Sequence, residues 1–196
     1  MSDTSLARRV ERRTRQRTAN RAAIIDAARR VATREGAGAL SLRAVAAEAG
    51  YAPASVYEYF RNRAELVLAL AAEDLSQVVR SLRESGGTQA GAARAMLESL
   101  KASGALPAAI ATLESRAAPS EAERLFTGKL IAALTALSEA AARVPLNTRD
   151  DQADVVLLAA SIVGLAVFAR AGRLKALGFD EQQLIARLDR RFAKGS

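Results

Sequence analysis

The residues best suited to chemistry in this chain are phenolic and cationic side chains gathered in one short stretch. Of the eight aromatic residues, four lie between positions 51 and 60, and all three tyrosines are among them. These aromatic residues are Tyr51, Tyr57, Tyr59 and Phe60, and the cations Arg61 and Arg63 follow them. Hydroxyl and guanidinium groups donate hydrogen bonds to phosphate oxygens. The stretch therefore suits a surface that meets a sugar-phosphate backbone.

The side chains on which most enzymes depend are missing from the sequence. The chain has no His and no Cys, which removes the commonest general base, the commonest zinc ligand and any disulfide. It also has no glycine-rich phosphate loop and no acidic cluster at metal-ligand spacing. We therefore expect a protein that is not an enzyme and holds no metal or cofactor. The lack of Cys fits a reducing cytoplasm.

Positive charge is concentrated at the N-terminal end. Residues 1–63 carry 13 Arg against 6 acidic residues, whereas residues 64–196 carry 16 Lys and Arg against 15 acidic residues. Residues 1–21 have almost no apolar content and contain Arg8, Arg9, Arg12, Arg13, Arg15, Arg17 and Arg21. We predict a flexible basic arm here that can extend the first helix at its end and that tethers the chain to DNA or reaches into a minor groove. A solubilising tail is the alternative.

Composition and periodicity predict an all-α protein of about nine helices. The first helix is predicted over residues 22–35, and Ser41 caps a second one that ends at Gly50. Pro53 opens a third, and a fourth covers residues 63–83. Because the second and third are short and joined by a tight glycine turn, they match a helix-turn-helix.

The second half is predicted as a series of helices behind the Gly86-Gly87 break. Its helices are expected over residues 88–103, 107–116, 120–143 and 148–173, with a last one beginning at Asp180. The longest apolar run, Val155 to Ala169, has 15 residues, short of the roughly 20 needed to cross a bilayer. We therefore expect no membrane partner. The basic N-terminus lacks an apolar segment behind it, so no signal peptide is expected.

Within this frame about 45 contiguous residues resemble the TetR family of transcriptional regulators. The resemblance rests on Ile24, Ala27-Ala28, Leu42-Arg43-x-Val45-Ala46, Ala49-Gly50 and Ser55-Val56-Tyr57-x-Tyr59-Phe60-x-Asn62-Arg63-x-Glu65-Leu66. It implies a helix-turn-helix DNA-binding domain of three helices over residues 22–66 and a helical ligand-binding and dimerisation domain over residues 67–196. It further implies a homodimer that represses from a palindromic operator of double-stranded DNA and is released by a small-molecule inducer. A ligand-independent or architectural DNA-binding dimer is the alternative.

The resemblance also implies roles for individual residues. Ser41 would place its hydroxyl and N–H on a phosphate, and Arg43 would reach a phosphate or a guanine edge. Phosphate contacts are further implied for Tyr57, Tyr59 and Arg63, and from the arm for Arg17 and Arg21. The groove-facing surface would comprise Ala52, Pro53, Ala54, Ser55, Glu58 and Tyr59, while Val56 and Phe60 face the core. Glu58 would accept a hydrogen bond from a cytosine amino group. The alternative is that its carboxylate is only solvated and contacts no base.

Two further sets of residues complete the expectations. The helix predicted over residues 148–173 has mostly small side chains at alternating spacings of four and three, and the last helix has three apolar residues on one face. Together they predict a dimer interface, with packing within one monomer as the alternative. This set is Ala153, Leu157, Ala160, Gly164, Val167, Ala171, Ile185, Leu188 and Phe192. The family resemblance implies an inducer pocket, for which the candidates are Met96, Leu100, Leu113, Arg116, Phe126, Leu130, Ser161 and Phe168. The few aromatics favour an aliphatic or acyl-like ligand, and ordinary core packing is the alternative.

Overall fold

The computed structural model describes residues 3–113, 119–141 and 148–192. Within these ranges the chain is helical throughout, with ten α-helices and one short 3-10 turn at Ala37–Ala39. The helices are α1 (Asp3–Glu35), α2 (Leu42–Ala49), α3 (Pro53–Tyr57), α4 (Arg63–Arg83), α5 (Gln89–Ser103), α6 (Ala105–Thr112), α7 (Glu121–Ala140), α8 (Arg149–Arg170), α9 (Arg173–Ala176) and α10 (Glu181–Phe192). The all-α prediction is confirmed.

Local signals set the boundaries of the helix-turn-helix. The Ser41 hydroxyl accepts a hydrogen bond from the Ala44 N–H at 3.1 Å and so caps α2. Gly50 ends that helix in the left-handed region at φ 70°, which a residue without a Cβ adopts at little cost. Because no side chain caps α3, its start depends on Pro53 in the first turn.

The N-terminal segment differs from its prediction, because α1 begins at Asp3 and includes residues 3–21. These residues were expected to form a flexible arm. Arg, Ala, Glu and Gln are good helix formers, and Glu11 and Arg15 form an ion pair one turn apart. The helix is already nucleated where Ile24 and Val31 are buried, so each residue before them needs only propagation, which is far easier than nucleation.

Helix α4 lies at the centre of the second half and packs against α5, α6 and α7, while α8 and α10 cover α5. It crosses the predicted domain boundary between residues 66 and 67 without a break, so the division into domains stays a prediction. Helix α6 starts at Ala105, before the predicted Pro107, since Gly104 at φ 64° ends α5 and begins α6 in one step. Lys101 of α5 fixes the start of α10 through a 2.8 Å ion pair with Glu181.

Three contacts join the C-terminal part of α1 to the second half. Arg29 pairs with the buried Asp74 of α4 at 3.2 Å. The Thr33 hydroxyl donates to the carbonyl of Ala102 at 2.7 Å. Arg170, at the end of α8, donates to the carbonyl of Lys101 and, at 3.4 Å, to that of Ala32. These contacts couple α1 to α4, α5 and α8.

Helix α8 is the one helix of the described residues that is long and apolar enough to cross a membrane, by length and composition alone. The expectation that no segment reaches this length was therefore wrong, because it counted only the uninterrupted apolar run. Of the most apolar window of this helix, 22% is buried inside the chain. Most of that apolar surface is thus available to something outside the monomer.

Candidate nucleic-acid interface

The helix-turn-helix has a buried side and an exposed side that match the sequence prediction. Val56 and Phe60 are buried, as predicted, together with Val45 of α2. The predicted contact residues lie on the exposed side, where Ser41, Arg43, Ala52, Pro53, Ala54, Tyr57 and Glu58 are exposed and Ser55 and Tyr59 are half-buried. Small side chains thus lie at the start of α3, with the cation of Arg43 before them in the sequence and the phenol of Tyr57 after them.

Two ion pairs fix α2 against α1. Glu48 of α2 accepts from Arg30 at 2.6 Å and from Arg34 at 3.2 Å. The hydrogen bond from Arg30 is the main reason that the pKa of Glu48 lies below its ordinary value, although desolvation opposes it. Hydrogen bonds to Glu35 and Glu48 raise the pKa of Arg34. The side of α2 opposite the exposed face is therefore held by charge pairs as well as by apolar packing.

Helix α1 lies along the edge of the α3–α4 turn. The Asn20 amide donates to the Tyr59 hydroxyl at 3.2 Å, and the Arg17 guanidinium lies 6.0 Å from the centre of the Tyr59 ring. The Arg21 guanidinium lies 5.2 Å from the centre of the Phe60 ring. Such cation–π contacts stabilise by about 0.5–1 kcal/mol at exposed sites. Arg17 is thus placed beside the predicted Tyr59, and Arg21 beside the neighbouring Phe60.

Asn20 was not among the sequence-predicted residues. Its partner Tyr59 is 39 positions away, so no local pattern could have indicated the contact. The same edge borders a cleft of about 400 Å³ between the helix-turn-helix and the start of α7. Its lining includes Arg17, Tyr57, Arg61 and Ser120, so hydroxyl and cationic groups continue past the end of α3.

The structure gives Arg63 a different role from the predicted phosphate contact. Its Nε donates to the carbonyl of Leu40 at 2.8 Å, and its Nη2 donates to the carbonyl of Ala37 at 3.0 Å. These carbonyls lie in the connection before Ser41, where the Ala37 carbonyl also accepts a hydrogen bond from the Leu40 N–H of the 3-10 turn. Arg63 therefore stabilises the approach to α2. Arg61, whose side chain is 90% exposed, is the more available cation of this turn; the sequence analysis named it with this surface but assigned it no individual contact.

Comparisons with known proteins agree with this geometry. Residues 24–70 match the family model of bacterial regulatory proteins of the tetR family. The HTH-type nicotine-responsive transcriptional repressor HdnoR of Paenarthrobacter nicotinovorans is 49% identical over 59 residues, which are 30% of this chain and 30% of that repressor. Residues 24–70 of this chain are therefore similar to the DNA-binding region of the TetR family.

Solved structures share the fold of this chain along most of its length. A TetR transcriptional regulator from Rhodococcus sp. RHA1 superposes with a TM-score of 0.68 at 19% identity, covering 92% of this chain and 98% of that one. A second transcriptional regulator from the same organism has a TM-score of 0.63 at 25% identity, with coverage of 88% and 94%. The family and the relatives named here are transcriptional regulators, not enzymes.

The predicted pocket residues do not share one environment. Met96, Leu100 and Phe126 are buried in the core, and Leu130 is half-buried against it. Ser161 uses its hydroxyl to donate to the carbonyl of Leu157 at 2.8 Å, within its own helix. Leu113 and Phe168 are 39% and 47% exposed, so the structure does not place them in the core with the other candidates, and their role stays a prediction. Arg116 lies outside the described residues.

The predicted dimer residues divide between two helices with different outcomes. On α8, the positions Ala153, Leu157, Ala160, Val167 and Ala171 are exposed and Gly164 is half-buried. On α10, Ile185 belongs to the core of its own chain and is 3% exposed, while Leu188 and Phe192 pack against that core. Ile185 is thus buried by its own chain, whereas the half-buried Leu188 and Phe192 keep part of their surface, and their contact with a second copy stays a prediction.

Proposed function

We propose that this protein is a TetR-family, sequence-specific DNA-binding transcriptional regulator. The observation that carries the proposal is the exposed side of α2 and α3, which has Arg43 and Tyr57 at its ends and small side chains at the start of α3. Cations and hydroxyls suit phosphates, while short side chains let a helix approach base edges in the major groove. Arg17 and Arg21 continue the positive surface on the neighbouring helix.

The regulator acts as a homodimer through α8. The face that runs from Ala153 to Ala171 is apolar and exposed, with Leu157 at 57% and Val167 at 43%. Burying such a face against its own copy removes apolar surface from water and doubles the DNA contact. Because a two-fold axis relates the two reading surfaces, the operator is a palindrome. A second copy accounts for the exposed apolar side of α8, so the proposal includes no membrane partner and a cytoplasmic location.

The finer proposal is a repressor released by a small-molecule inducer. It is supported by the relative whose name describes a nicotine-responsive transcriptional repressor. A DNA-binding dimer without a ligand is the second candidate, favoured by the dense packing of Met96, Leu100 and Phe126 in the core. A thermal-shift screen of aliphatic and aromatic acids separates the two, because a ligand bound only by the folded state raises the unfolding temperature. Release of bound DNA by a hit supports the repressor, and a hit without release contradicts it.

The DNA-binding proposal is tested by mixing the purified protein with sheared genomic DNA and sequencing the fragments that it retains. We expect a shared palindromic sequence among them. Tyr57→Phe removes one phosphate hydrogen bond and should weaken all duplexes by a similar factor. Tyr51→Phe, in a half-buried tyrosine that packs against the core, is the matched control and should leave affinity unchanged. Retention of random fragments in dilute buffer, or of none, would overturn the proposal.

A further inference from the structure

The N-terminal part of α1 carries an inference that rests on the proposed DNA-binding function and goes beyond it. We propose that residues 3–19 form a straight helical arm that lies along the DNA phosphates outside the operator. On this view the arm does not enter a minor groove. It contributes affinity that depends on the length of flanking DNA and is independent of its sequence.

The arm is a single helix that the described part of the chain leaves uncovered. Residues 7–19 are exposed all round the helix. At 1.5 Å per residue, residues 3–19 are about 25 Å long, and all but their last turn extends beyond the helix-turn-helix. This length corresponds to about seven base pairs at 3.4 Å each.

The base of the arm is anchored at the predicted DNA-facing edge. Asn20 bonds to the Tyr59 hydroxyl, and Arg17 and Arg21 lie over the Tyr59 and Phe60 rings. The last two turns before the domain are thus held against the α3–α4 turn. Because a helix is stiff over a few turns, these contacts also set the direction in which the remaining residues leave the protein.

The charge of this uncovered helix indicates which kind of partner binds it. Residues 3–19 contain six arginines against two acidic residues, Asp3 and Glu11, and Glu11 is paired with Arg15. Arg8, Arg12 and Arg15 follow one face at spacings of four and three, while Arg9 and Arg13 lie on the neighbouring face. Among residues 7–19, Val10 is the one large apolar side chain that is exposed, so a helix with cations on two adjacent faces suits a polyanion better than an apolar partner.

The width of the helix decides where it lies on the DNA. An α-helix with side chains is about 10–12 Å across, whereas the minor groove is about 6 Å wide. Entry into the minor groove would require the arm to unfold and to break the hydrogen bonds between Glu11 and Arg15 and between Gln16 and Asn20. A helix that stays folded places its arginines on the phosphates instead. Phosphate contacts of this kind carry no sequence information.

The test uses two duplexes made from a genomic fragment that the protein retains. One is trimmed to the protected operator, and the other keeps about 10 base pairs on each side, enough for an arm of about seven base pairs. We expect the full chain to bind the longer duplex more tightly. The Arg8→Ala/Arg12→Ala double variant should lose most of that difference, and its salt slope should fall by about 0.9 for each phosphate that it no longer neutralises. Affinity for the trimmed duplex should not change.

Thr14→Pro separates a helical arm from an extended one, because it breaks the helix and keeps every arginine. If the arm is helical, this variant should also lose the tighter binding to the longer duplex. If Thr14→Pro keeps that advantage, or if A·T flanks bind better than G·C flanks, an extended arm in the minor groove is indicated and the proposal is wrong. Arg83→Ala/Arg94→Ala removes the same charge from exposed sites outside the helix-turn-helix and should not affect either duplex.

The outcomes distinguish this inference from the proposed function. If the wild-type chain retains no specific fragment, the DNA-binding function itself fails. If it binds the trimmed operator specifically, and the arm variants match wild type on the longer duplex, only the arm proposal fails. Circular dichroism of each variant confirms that the rest of the fold is intact, because Ala at positions 8 and 12 preserves helix content and Pro at position 14 removes only the turns before it.

Discussion

Ser41 combines two roles that substitution can separate. Its hydroxyl accepts from the Ala44 N–H and so stabilises the first turn of α2, and its exposed position is the one proposed to meet a phosphate. Ser41→Ala should lower the free energy of unfolding by about 1 kcal/mol, the usual effect of losing an N-cap. Ser41→Asp should preserve stability, because a carboxylate caps as well and favours the positive end of the helix.

DNA binding by these two variants should rank in the opposite order. The carboxylate introduced by Ser41→Asp repels a phosphate, so this variant should bind the operator more weakly than Ser41→Ala. Urea unfolding measures the stability of each variant, and duplex titration measures its affinity. Equal affinity of the two variants would show that no phosphate approaches this residue.

Glu48 provides a pH dependence with a defined sign. Its pKa in the folded state is lowered, chiefly by the hydrogen bond from Arg30. A lowered folded pKa means that the pairing stabilises the protein above the unfolded pKa and is lost as pH falls through the folded value. Glu48→Gln should therefore reduce the urea midpoint near neutral pH and flatten its decline below about pH 5.

The matched control for Glu48 is Glu139→Gln on the exposed side of α7. It changes the net charge equally and should leave the acid decline as in wild type. The effect at Glu48 should be small, because the partners Arg30 and Arg34 are half exposed and solvent screens the pairs. A Glu48→Gln curve parallel to that of wild type would mean that the ion pairs do not contribute to stability.

At the scale of helices, the exposed face of α8 determines the proposed oligomer. Leu157→Glu places a charge in the middle of that face, where pairing with a second copy would bury it without a partner. We expect the variant to sediment as a monomer with an unchanged fold and to bind the operator much more weakly. Ile131→Glu on α7 is the control, since Ile131 is 59% exposed against 57% for Leu157. It should remain dimeric.

Two outcomes would contradict the α8 interface. If Leu157→Glu sediments as wild type does, α8 is not where two copies meet. If Ile131→Glu dissociates the dimer and Leu157→Glu does not, the interface lies on α7. Loss of helicity in either variant would show as a changed circular dichroism spectrum, and Leu157→Asn then serves as the milder substitution.

The helix boundaries show which parts of the fold a sequence determines locally. The cap at Ser41, the left-handed Gly50 and the start at Pro53 depend on a few neighbouring residues, and each was predicted at its observed position. The periodicity predicts the apolar face of α10, but it does not say how much of that face its own chain covers. Ile185 packs within its own chain, and only the tertiary structure shows this.

The candidate interface was predictable to a similar extent. The exposed positions of α2 and α3 followed from the helical periodicity together with the buried Val56 and Phe60. The role of Arg63 could not be predicted from the periodicity, because its carbonyl partners at Ala37 and Leu40 are more than 20 residues away. The arm was mispredicted for a related reason. Its composition cannot fold in isolation, and its helix depends on nucleation by the packed residues that follow.

At the scale of the whole molecule, the reading surface and the proposed dimer helix are mechanically connected. Arg170 at the end of α8 bonds to the carbonyls of Lys101 in α5 and Ala32 in α1. Thr33 bonds to Ala102, beside the same carbonyl of α5. The position of α1, and with it α2, therefore depends on α8 and α5. A dimer formed through α8 would set the separation of its two reading surfaces through these contacts.

The salt dependence of operator binding tests this arrangement as a whole. Each protomer offers four arginines at the proposed interface, Arg17, Arg21, Arg43 and Arg61, so a dimer has eight. At about 0.9 per neutralised phosphate, the plot of log affinity against log salt should have a slope of about −7 on a duplex trimmed to the operator. A monomer on a half-site should give about half that slope. The Leu157→Glu variant measured on the same duplex supplies this comparison. A slope that is shallow for wild type and unchanged in the variant would mean that the DNA is not held by two arginine-bearing surfaces acting together.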